Sequence, residues 1–425
     1  MRKVIRFLRN TIATIIILYL ALFGFTKAIR YPEPIAAIKL GLAPASKTPA
    51  LMPAHIIEPA KSPIEIPRGK EVMPATVQYK KSPVSFDEFL NLTKTNAFLV
   101  IRNGVLTYEW YKDGFTASTE FPSYSVAKTM TSIMIGQLIA DGKIKESDYF
   151  VDFYPEFKNG SSFDRVSIKT LLDMQGGVGV SDNYPTGPQG WGVAIAQMYA
   201  TTDMHWFIGN NRKMAFDPGT SAEYRSVDTQ LLGMIIKKVT GMRVAEYFSQ
   251  NVWQKVGAEF PATWNVDRVG GIEKTFCCFN AAARDYARVG LAILNGGYSV
   301  ANRIITKQWL TRISSPVVTL DHNWGYSAQV WHPFPGISMA LGLHGQFIFI
   351  DPASRTVIVK VSDNPTGSDN EEPTAEVLYA LSQSKVWFAS TDFTISGKFV
   401  ITAVAPQSLA KAISLAVFAV QMKKS

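Results

Sequence analysis

A serine and a lysine three residues apart open an apolar helix in the first third of the chain. The stretch "SYSVAKTMTSIMIGQLIADGKI" puts Ser125 and Lys128 nearly one helical turn apart, so both side chains share a face. A serine hydroxyl becomes an effective nucleophile when a base takes its proton, and a neutral lysine can be that base. The lysine pKa, about 10.4 in water, must fall by several units, and burial lowers it. The pair therefore predicts acyl transfer through the serine.

The Ser-x-x-Lys spacing is weak by itself, because the chain contains it three times. The pairs are Ser125/Lys128, Ser382/Lys385 and Ser408/Lys411. The first pair opens an apolar helix after a hairpin, whereas the other two leave too little chain downstream for partners. An ordinary alternative is a lysine that extends its ammonium to solvent from a capped helix. The motif alone leaves both readings open.

Two further segments supply partners for this pair. "PGTSAEYRSVDTQLLG" has Tyr224 and Ser226 in a Tyr-x-Ser turn before a helix, and "GLHGQFIFIDP" has His344, Gly345 and Gln346 at the start of a strand. Together the three segments resemble the signatures of serine β-lactamases and penicillin-binding proteins, which are S-x-x-K, Y-x-N or Y-x-S, and K-T-G or H-x-G. Their order and spacing match the class C β-lactamase group.

Within that group the chain most resembles the 6-aminohexanoate-dimer hydrolases and related esterases, over about residues 85–390. The segments that carry the resemblance are the three above, "LLDMQGGV" and "ARDYARVGLAILNGG". The resemblance implies an α+β (α/β sandwich) fold of the β-lactamase/transpeptidase type, with an antiparallel sheet, terminal helices and a helical subdomain. It also implies a serine hydrolase that transfers the acyl group of a small-molecule amide or ester to water, with no cofactor.

The resemblance assigns roles to individual residues. Ser125 would be the acylated nucleophile and Lys128 its base. Tyr224 would protonate the leaving group and help to activate water. The backbone N–H groups of Ser125 and Gln346 would form the oxyanion hole, and Gly345 would let the backbone approach the substrate closely.

Four weaker assignments follow from the same resemblance. Ser226 would orient Lys128 or the substrate carbonyl. Tyr184, in "SDNYPTG", matches a tyrosine that contacts the scissile amide nitrogen, and Asn280, in "CCFNAAARDYAR", matches a pocket asparagine. The ordinary alternatives are a loop aromatic for Tyr184 and a helix N-cap for Asn280. For His344, a structural hydrogen bond at a strand edge is favoured over a role in substrate binding.

The third motif departs from the family pattern. Leu343 and His344 stand where K-T-G has its lysine and threonine. In enzymes that recognise β-lactams this lysine binds the substrate carboxylate, so its absence argues against strong β-lactamase or transpeptidase activity. Two alternatives stay open: a penicillin-binding D,D-peptidase or weak β-lactamase, and an inactive, membrane-anchored binding protein of the same fold.

The elements that must position these residues can be read from the pattern. Asn103-Gly104 lies between two β-rich runs, which predicts a hairpin. Helical segments fill the middle of the chain, and strands return in "GQFIFIDPASRTVIVKV" before the closing helix "TAEVLYALSQSKVWFA". Strands at both ends with helices between them predict one sheet built from distant segments and a helical insertion. We assign this hydrolase domain to residues 86–390.

The remaining segments flank that domain. Residues 1–30 have a basic start and an uncharged apolar run, Thr11–Phe25, which is typical of a signal anchor or a signal peptide. We therefore expect export, with the domain on the periplasmic side of a bacterial inner membrane, or secretion if the segment is cleaved. Residues 31–85 are expected to form a Pro-rich linker. Residues 391–425 are expected to form an apolar tail, either an amphipathic segment at the membrane interface or a helix that packs on the periphery of the domain.

Charge and composition exclude other classes of protein. The net charge of +9 comes from scattered Lys and Arg, which fits an anionic membrane surface and gives no indication of nucleic-acid binding. Cys277 and Cys278 are adjacent, so no disulfide is expected. Five histidines without an HExxH or CxxC motif give no indication of a metal site.

Overall fold

The computed structural model describes residues 2–182, 193–300, 302–365, 369–384, 393–395 and 399–401. Its strands are β1 (Ala54–Ile57), β2 (Thr76–Tyr79), β3 (Ser82–Ser85), β4 (Thr95–Arg102), β5 (Val105–Tyr111), β6 (Phe121–Pro122), β7 (Ala262–Asn265), β8 (Phe279–Ala281), β9 (Tyr298–Ser299), β10 (Asn302–Arg303), β11 (Val318–Thr319), β12 (Gly325–Ser327), β13 (Val330–His332), β14 (Ser338–Gly342), β15 (Gln346–Asp351), β16 (Thr356–Ser362), β17 (Phe393–Ile395) and β18 (Phe399–Ile401). Eight of them form one sheet, in the order β11-β12-β13-β14-β15-β16-β4-β5. Every pair in it is antiparallel. Strands from both ends of the domain therefore meet in one sheet, as predicted.

Helices lie on both sides of this sheet. They are α1 (Arg2–Ala28), α2 (Pro34–Leu42), α3 (Phe86–Leu92), α4 (Val126–Ala140), α5 (Phe150–Phe153), α6 (Ile168–Leu172), α7 (Ala194–Ala200), α8 (Met204–Asn210), α9 (Ser226–Thr240), α10 (Val244–Phe248), α11 (Ala283–Leu294), α12 (Lys307–Ile313) and α13 (Glu371–Gln383). Helix α11 packs on β15, β16 and β4, while α13 and α3 pack on the same sheet. Helix α4 contacts α9 and the strands β14 and β15, so it joins the helical part to the sheet.

Alternating side chains of the central strands fill two cores. In β4, Leu99 and Ile101 belong to the core that includes α4, α9 and α11, whereas Phe98 and Val100 belong to the core under α3 and α13. Successive side chains of a strand point to opposite faces, so a strand buried on both faces is apolar throughout. The predicted hairpin is confirmed, since Asn103 and Gly104, with φ of +50° and +81°, join β4 to β5.

The segment 31–85 was expected to be a linker, and this is corrected for the parts that pack on the domain. Strand β1 pairs with β7, and a 3₁₀ helix precedes it. In that helix the backbone N–H and hydroxyl of Ser46 donate to the carboxylate of Asp363. Further on, Glu71 forms a buried ion pair with Arg102 at 2.8 Å. Each element has only a few residues, so no period emerges from the Pro-rich sequence.

The N-terminal segment is one long helix. Helix α1 is 27 residues long and is apolar enough to cross a membrane, a property that signal sequences share. It extends beyond the predicted apolar run at both ends. Of the predicted C-terminal tail, only β17 and β18 lie within the described residues, so the interpretation of residues 391–425 stays a prediction.

Candidate active site

Ser125 lies at the N-terminus of α4, in the turn that follows β6. The preceding residue, Tyr124, is in the left-handed region with φ of +43°, so the chain turns sharply before the helix. The Tyr124 ring is buried and packs edge-on against His344, with ring centroids 4.7 Å apart. This packing fixes a strained turn at the mouth of a buried helix, which leaves the Ser125 side chain facing a cavity.

Lys128 is buried, with 1% of its surface exposed, so the alternative of a lysine in solvent is wrong. Its Nζ donates hydrogen bonds of 2.9 Å to the hydroxyls of Ser125 and Ser226 and to the carbonyl oxygen of Phe276. Burial lowers the pKa of Lys128 to about 8, although the carboxyl groups of Asp182 and Asp228 raise it in part. A substantial fraction of this amine is therefore neutral at mildly alkaline pH.

Tyr224 lies beside the lysine. Its ring centroid is 4.9 Å from Lys128 Nζ, and the ring stacks on Trp331 with centroids 5.3 Å apart. Burial raises the pKa of Tyr224 well above its usual value, and Asp182 raises it further, whereas a hydrogen bond with Ser125 lowers it. The phenol therefore stays protonated at neutral pH.

A cavity of about 380 Å³ opens in front of Ser125. Its other lining residues are Ser181, Asp182, Glu223, Tyr224, Asp321, His322, Trp331, Leu341, Leu343 and Glu371. Four carboxyl groups line it, and none of its described lining residues is a lysine or an arginine. The His322 ring is 3.5 Å from the Glu371 carboxylate, and this contact is the main cause that raises the pKa of His322.

The backbone that borders Ser125 is the end of β14. A Cβ atom on Gly342 would lie 3.1 Å from the Ser125 backbone nitrogen, and the next residue, Leu343, lines the cavity. Gln346, the predicted oxyanion residue, is opposite Gly342 in the β14–β15 pair and is 1% exposed. It lines a separate crevice beside Ser123 and Val126, so the structure does not bring it to the cavity.

His344 and Gly345 form the turn between these strands. His344 has φ of +65°, and its Nδ1 is 2.5 Å from the carbonyl oxygen of Asn364. Burial lowers the pKa of His344, so the neutral ring donates this hydrogen bond. Gly345 has φ of +83°, and a Cβ atom there would lie 2.7 Å from the Asn364 amide. The glycine thus serves the turn itself, and neither residue lines the cavity.

Comparisons with known proteins agree with this geometry. The family model described as Beta-lactamase matches residues 93–381. The 6-aminohexanoate-dimer hydrolase of Paenarthrobacter ureafaciens is 30% identical over 305 residues, which are 66% of this chain and 75% of that protein. The chain belongs to the β-lactamase family.

Solved structures extend this relationship. A Bacillus anthracis protein assigned as a 6-aminohexanoate-dimer hydrolase superposes with a TM-score of 0.68 at 25% identity, over 82% of this chain and 93% of that one. A family VIII carboxylesterase shares the fold, with a TM-score of 0.52 at 18% identity, over 67% of this chain and 92% of its own. This member of the β-lactamase family is therefore a serine hydrolase of the β-lactamase/transpeptidase-like fold.

Of the remaining predicted residues, Ser226 is beside the lysine and Asn280 is not. Asn280 lies in β8, is 1% exposed, and its Nδ2 donates to Thr263 Oγ1 at 3.1 Å and to Asn265 Oδ1 at 2.9 Å. It does not line the cavity, and it is not a helix N-cap, since Ala282 has that position at α11. Tyr184 falls outside the described residues.

Two features around Lys128 are not among the predictions from the sequence. Asp182 accepts hydrogen bonds from Ser226, whereas the segment "SDNYPTG", in which it lies, indicates a role only for its tyrosine. Cys277 and Cys278, expected not to pair, form a disulfide in the turn after Phe276. Adjacent cysteines pair only in a particular turn, and Cys278 has φ of +66° there. No sequence pattern indicates such a turn.

Proposed function

We propose that this protein hydrolyses an amide or ester bond through an acyl-enzyme on Ser125, with Lys128 as the base. The observation that carries the proposal is the 2.9 Å contact between Lys128 Nζ and Ser125 Oγ, made by a buried lysine whose pKa is lowered to about 8. A buried amine that can lose its proton next to a hydroxyl is the arrangement that base-activated acyl transfer requires.

In acylation, neutral Lys128 takes the proton of Ser125 Oγ while this oxygen bonds to the substrate carbonyl carbon. The negative charge moves to the carbonyl oxygen, where backbone N–H groups stabilise it. One donor is Ser125, and Leu343 replaces Gln346 as the second, because Leu343 lines the cavity and follows the strand end that touches Ser125. The bond to the leaving group then breaks, and Tyr224 donates its proton to the departing nitrogen or oxygen.

Deacylation reverses these proton movements with water in place of the leaving group. Tyr224 regains a proton from the Lys128 ammonium, and the neutral amine accepts a proton from the attacking water. The ester bond to Ser125 then breaks, the Lys128 ammonium returns a proton to Oγ, and the acid is released. The ring centroid of Tyr224 lies 4.9 Å from Lys128 Nζ, so the two groups are neighbours in the site.

The cavity supports a small substrate that carries no negative charge near the reacting bond. Its volume suits a small molecule. The carboxyl groups of Asp182, Glu223, Asp321 and Glu371 line it and would repel a substrate carboxylate. This argues against the penicillin-binding D,D-peptidase and weak β-lactamase alternatives, whose substrates are anionic. The intact Ser125–Lys128 contact argues against an inactive binding protein.

We place the hydrolase domain on the periplasmic face of a bacterial inner membrane, held by α1. The support is the length and apolar composition of α1, together with the basic residues at its start. Cleavage of this segment would instead release the domain. Fractionation of cells that express the full chain, followed by protease treatment of spheroplasts, separates these two states from a cytoplasmic location.

The test of the reaction is labelling of the full chain with a fluorophosphonate, combined with p-nitrophenyl ester hydrolysis. Ser125→Ala should abolish both signals. Ser132→Ala is the matched control, since Ser132 is buried on the same helix and its hydroxyl has no hydrogen-bond partner among the described residues. Equal signals from wild type and Ser125→Ala would end the proposal. Strong labelling by a fluorescent penicillin would favour the D,D-peptidase instead.

A further inference from the structure

Asp182 is joined to the proposed catalytic lysine through one hydroxyl group. The carboxylate accepts two hydrogen bonds from Ser226, one from its backbone N–H at 2.7 Å and one from its Oγ at 2.5 Å. Ser226 Oγ in turn accepts from Lys128 Nζ at 2.9 Å. The result is a continuous chain from Asp182 through Ser226 and Lys128 to Ser125.

This chain of hydrogen bonds determines to which group the Ser226 hydroxyl donates its proton. A serine hydroxyl has one proton, and Ser226 gives that proton to Asp182. Toward Lys128, Ser226 can therefore only accept. The carbonyl oxygen of Phe276, 2.9 Å from Lys128 Nζ, is also an acceptor and nothing else. Two of the three hydrogen-bonding directions around Nζ are thus restricted to N–H donation.

The third direction from Nζ leads to Ser125 Oγ. A neutral lysine has two N–H bonds and one lone pair. If Phe276 and Ser226 accept the two N–H bonds, the lone pair points at the hydroxyl of Ser125. The amine can remove the serine proton only when its lone pair points in this direction. Without an acceptor at position 182, the Ser226 proton could turn to Nζ and occupy that lone pair.

We propose that Asp182 is a positioning residue of this hydrolase: it holds the Ser226 hydroxyl so that the lone pair of neutral Lys128 points at Ser125. This inference rests on the proposed function. It adds a residue that never touches the substrate carbonyl and acts through its contact with Ser226. Asp182 also lines the cavity, but the proposed role needs only the inner hydrogen bonds.

The charges around Lys128 predict a change in the pH dependence of the reaction that loss of a purely structural residue would not cause. Asp182 and Asp228 both raise the pKa of Lys128, and the titratable groups that Asp182 faces in turn are Lys128, Arg225, Tyr224 and Asp228. Burial raises the pKa of Asp228 well above its usual value. Its hydrogen bond comes from the Gly176 N–H. Asp228 therefore offers a nearby carboxyl group outside the chain.

The experiment measures the rate of fluorophosphonate labelling of the full chain against pH. Asp182→Asn places an amide against Ser226 and removes a negative charge near Lys128. We expect the maximal rate to fall about tenfold or more. The acid limb, which is the part of the profile where the rate rises as Lys128 loses its proton, should move about one pH unit lower. The reason is that the lysine then loses its proton more readily. Asp182→Glu keeps the charge and should keep the acid limb of the wild type.

Asp228→Asn is the matched control: it should shift the acid limb less than Asp182→Asn does and should keep the wild-type maximal rate, because the hydrogen bond of Asp228 is with Gly176 and not with Ser226. If Asp182→Asn labels slowly but keeps the wild-type limb, Asp182 is only structural and the inference is overturned. An equal shift together with an equal fall in the maximal rate in Asp228→Asn would overturn it as well, since charge alone would then explain the result. If wild type and Ser125→Ala label equally, the proposed function has failed, and not this inference.

Ser226→Ala covers the case in which Asp182→Asn does not fold. This variant keeps Asp182 but removes the hydroxyl between it and Lys128, so the lysine loses an acceptor. The acid limb should again move to lower pH. If Ser226→Ala keeps the acid limb of the wild type, the proposed chain of hydrogen bonds from Asp182 to Ser125 is contradicted. If Asp182→Asn folds, adding it to Ser226→Ala should reduce the maximal rate little further, because its effect passes through the missing hydroxyl.

Discussion

Gly342 at the end of β14 lies directly against the backbone of Ser125. A Cβ atom at this position would be 3.1 Å from the Ser125 nitrogen and closer still to the Ser123 carbonyl oxygen. Strand β14 thus borders the nucleophile with no side chain between them. This contact brings the next residue, Leu343, to the cavity and aligns the sheet with the start of α4.

The first prediction concerns this contact. Gly342→Ala should push β14 away from Ser125, lower kcat for a neutral p-nitrophenyl ester about tenfold or more, and destabilise the fold by about 1–3 kcal/mol. Gly209→Ala is the control, because a Cβ atom there makes an ordinary 3.4 Å contact with the Phe157 ring. Steady-state kinetics and urea unfolding measure both effects. Wild-type kinetics for Gly342→Ala would show that β14 does not shape the site.

The second prediction concerns the pH dependence of the reaction. Because neutral Lys128 is the active form, kcat/KM should rise with pH and level off above about 8, the value to which burial lowers its pKa. Lys128→Arg keeps a positive charge that cannot be removed, so the rate should fall by about 10²–10⁴-fold at every pH. A pH–rate profile of both proteins tests this. If kcat/KM of the wild type does not change between about pH 6 and about pH 9, the lysine is excluded as the base.

The fold was predictable where local pattern and tertiary packing agree. The Asn103-Gly104 hairpin and helix α9, which ends before Gly241 with φ of +68°, follow from turn chemistry and periodicity. The contacts of residues 31–85 were not predictable, since strand β1 is four residues long and its register is set by β7, more than 200 residues away. Short pairings of this kind depend on packing and leave no period in the sequence.

In the active site, too, local contacts were predictable and contacts between distant segments were not. Ser125 and Lys128 are three residues apart on one helix, so their contact follows from helix geometry. Their other partners come from distant segments: the Phe276 carbonyl is 148 residues from the lysine. The Gln346 assignment stays without support because the register of the β14–β15 hairpin puts Gln346 opposite Gly342, away from the cavity. Such a register depends on the turn at His344 and Gly345, which the motif does not define.

The third prediction concerns the charge of the substrate. The carboxyl groups of Glu223, Asp321 and Glu371 at the cavity should disfavour an ester whose acyl chain ends in a carboxylate. The ratio of kcat/KM for mono-p-nitrophenyl succinate to that for p-nitrophenyl acetate should rise in Asp321→Asn and Glu371→Gln. The increase should shrink at high salt, because added ions screen charges near the surface. An unchanged ratio in both variants would contradict an electrostatic selection.

The last prediction concerns Lys360, which the reaction does not use and which is one of three buried lysines with a lowered pKa among the described residues, the others being Lys128 and Lys274. It lies on β16 between the rings of Phe89 and Phe347, donates to Ser362 Oγ, and burial lowers its pKa to about 7. Between that pKa and about 10.4, the unfolded chain binds more protons than the folded one, so the free energy of unfolding should rise with pH in this window.

Lys360→Met replaces the amine with an apolar side chain of similar length. It should raise the free energy of unfolding by about 1 kcal/mol or more near pH 7 and reduce the rise toward pH 10, of which the share due to Lys128 and Lys274 remains. The exposed Lys145→Met is the control and should do neither. Urea unfolding at about pH 7 and about pH 9 measures both effects. A destabilised Lys360→Met with the wild-type pH dependence would mean that the amine is solvated in the folded protein, and that the packing of β16 against α3 is looser than the contacts with Phe89 and Phe347 imply.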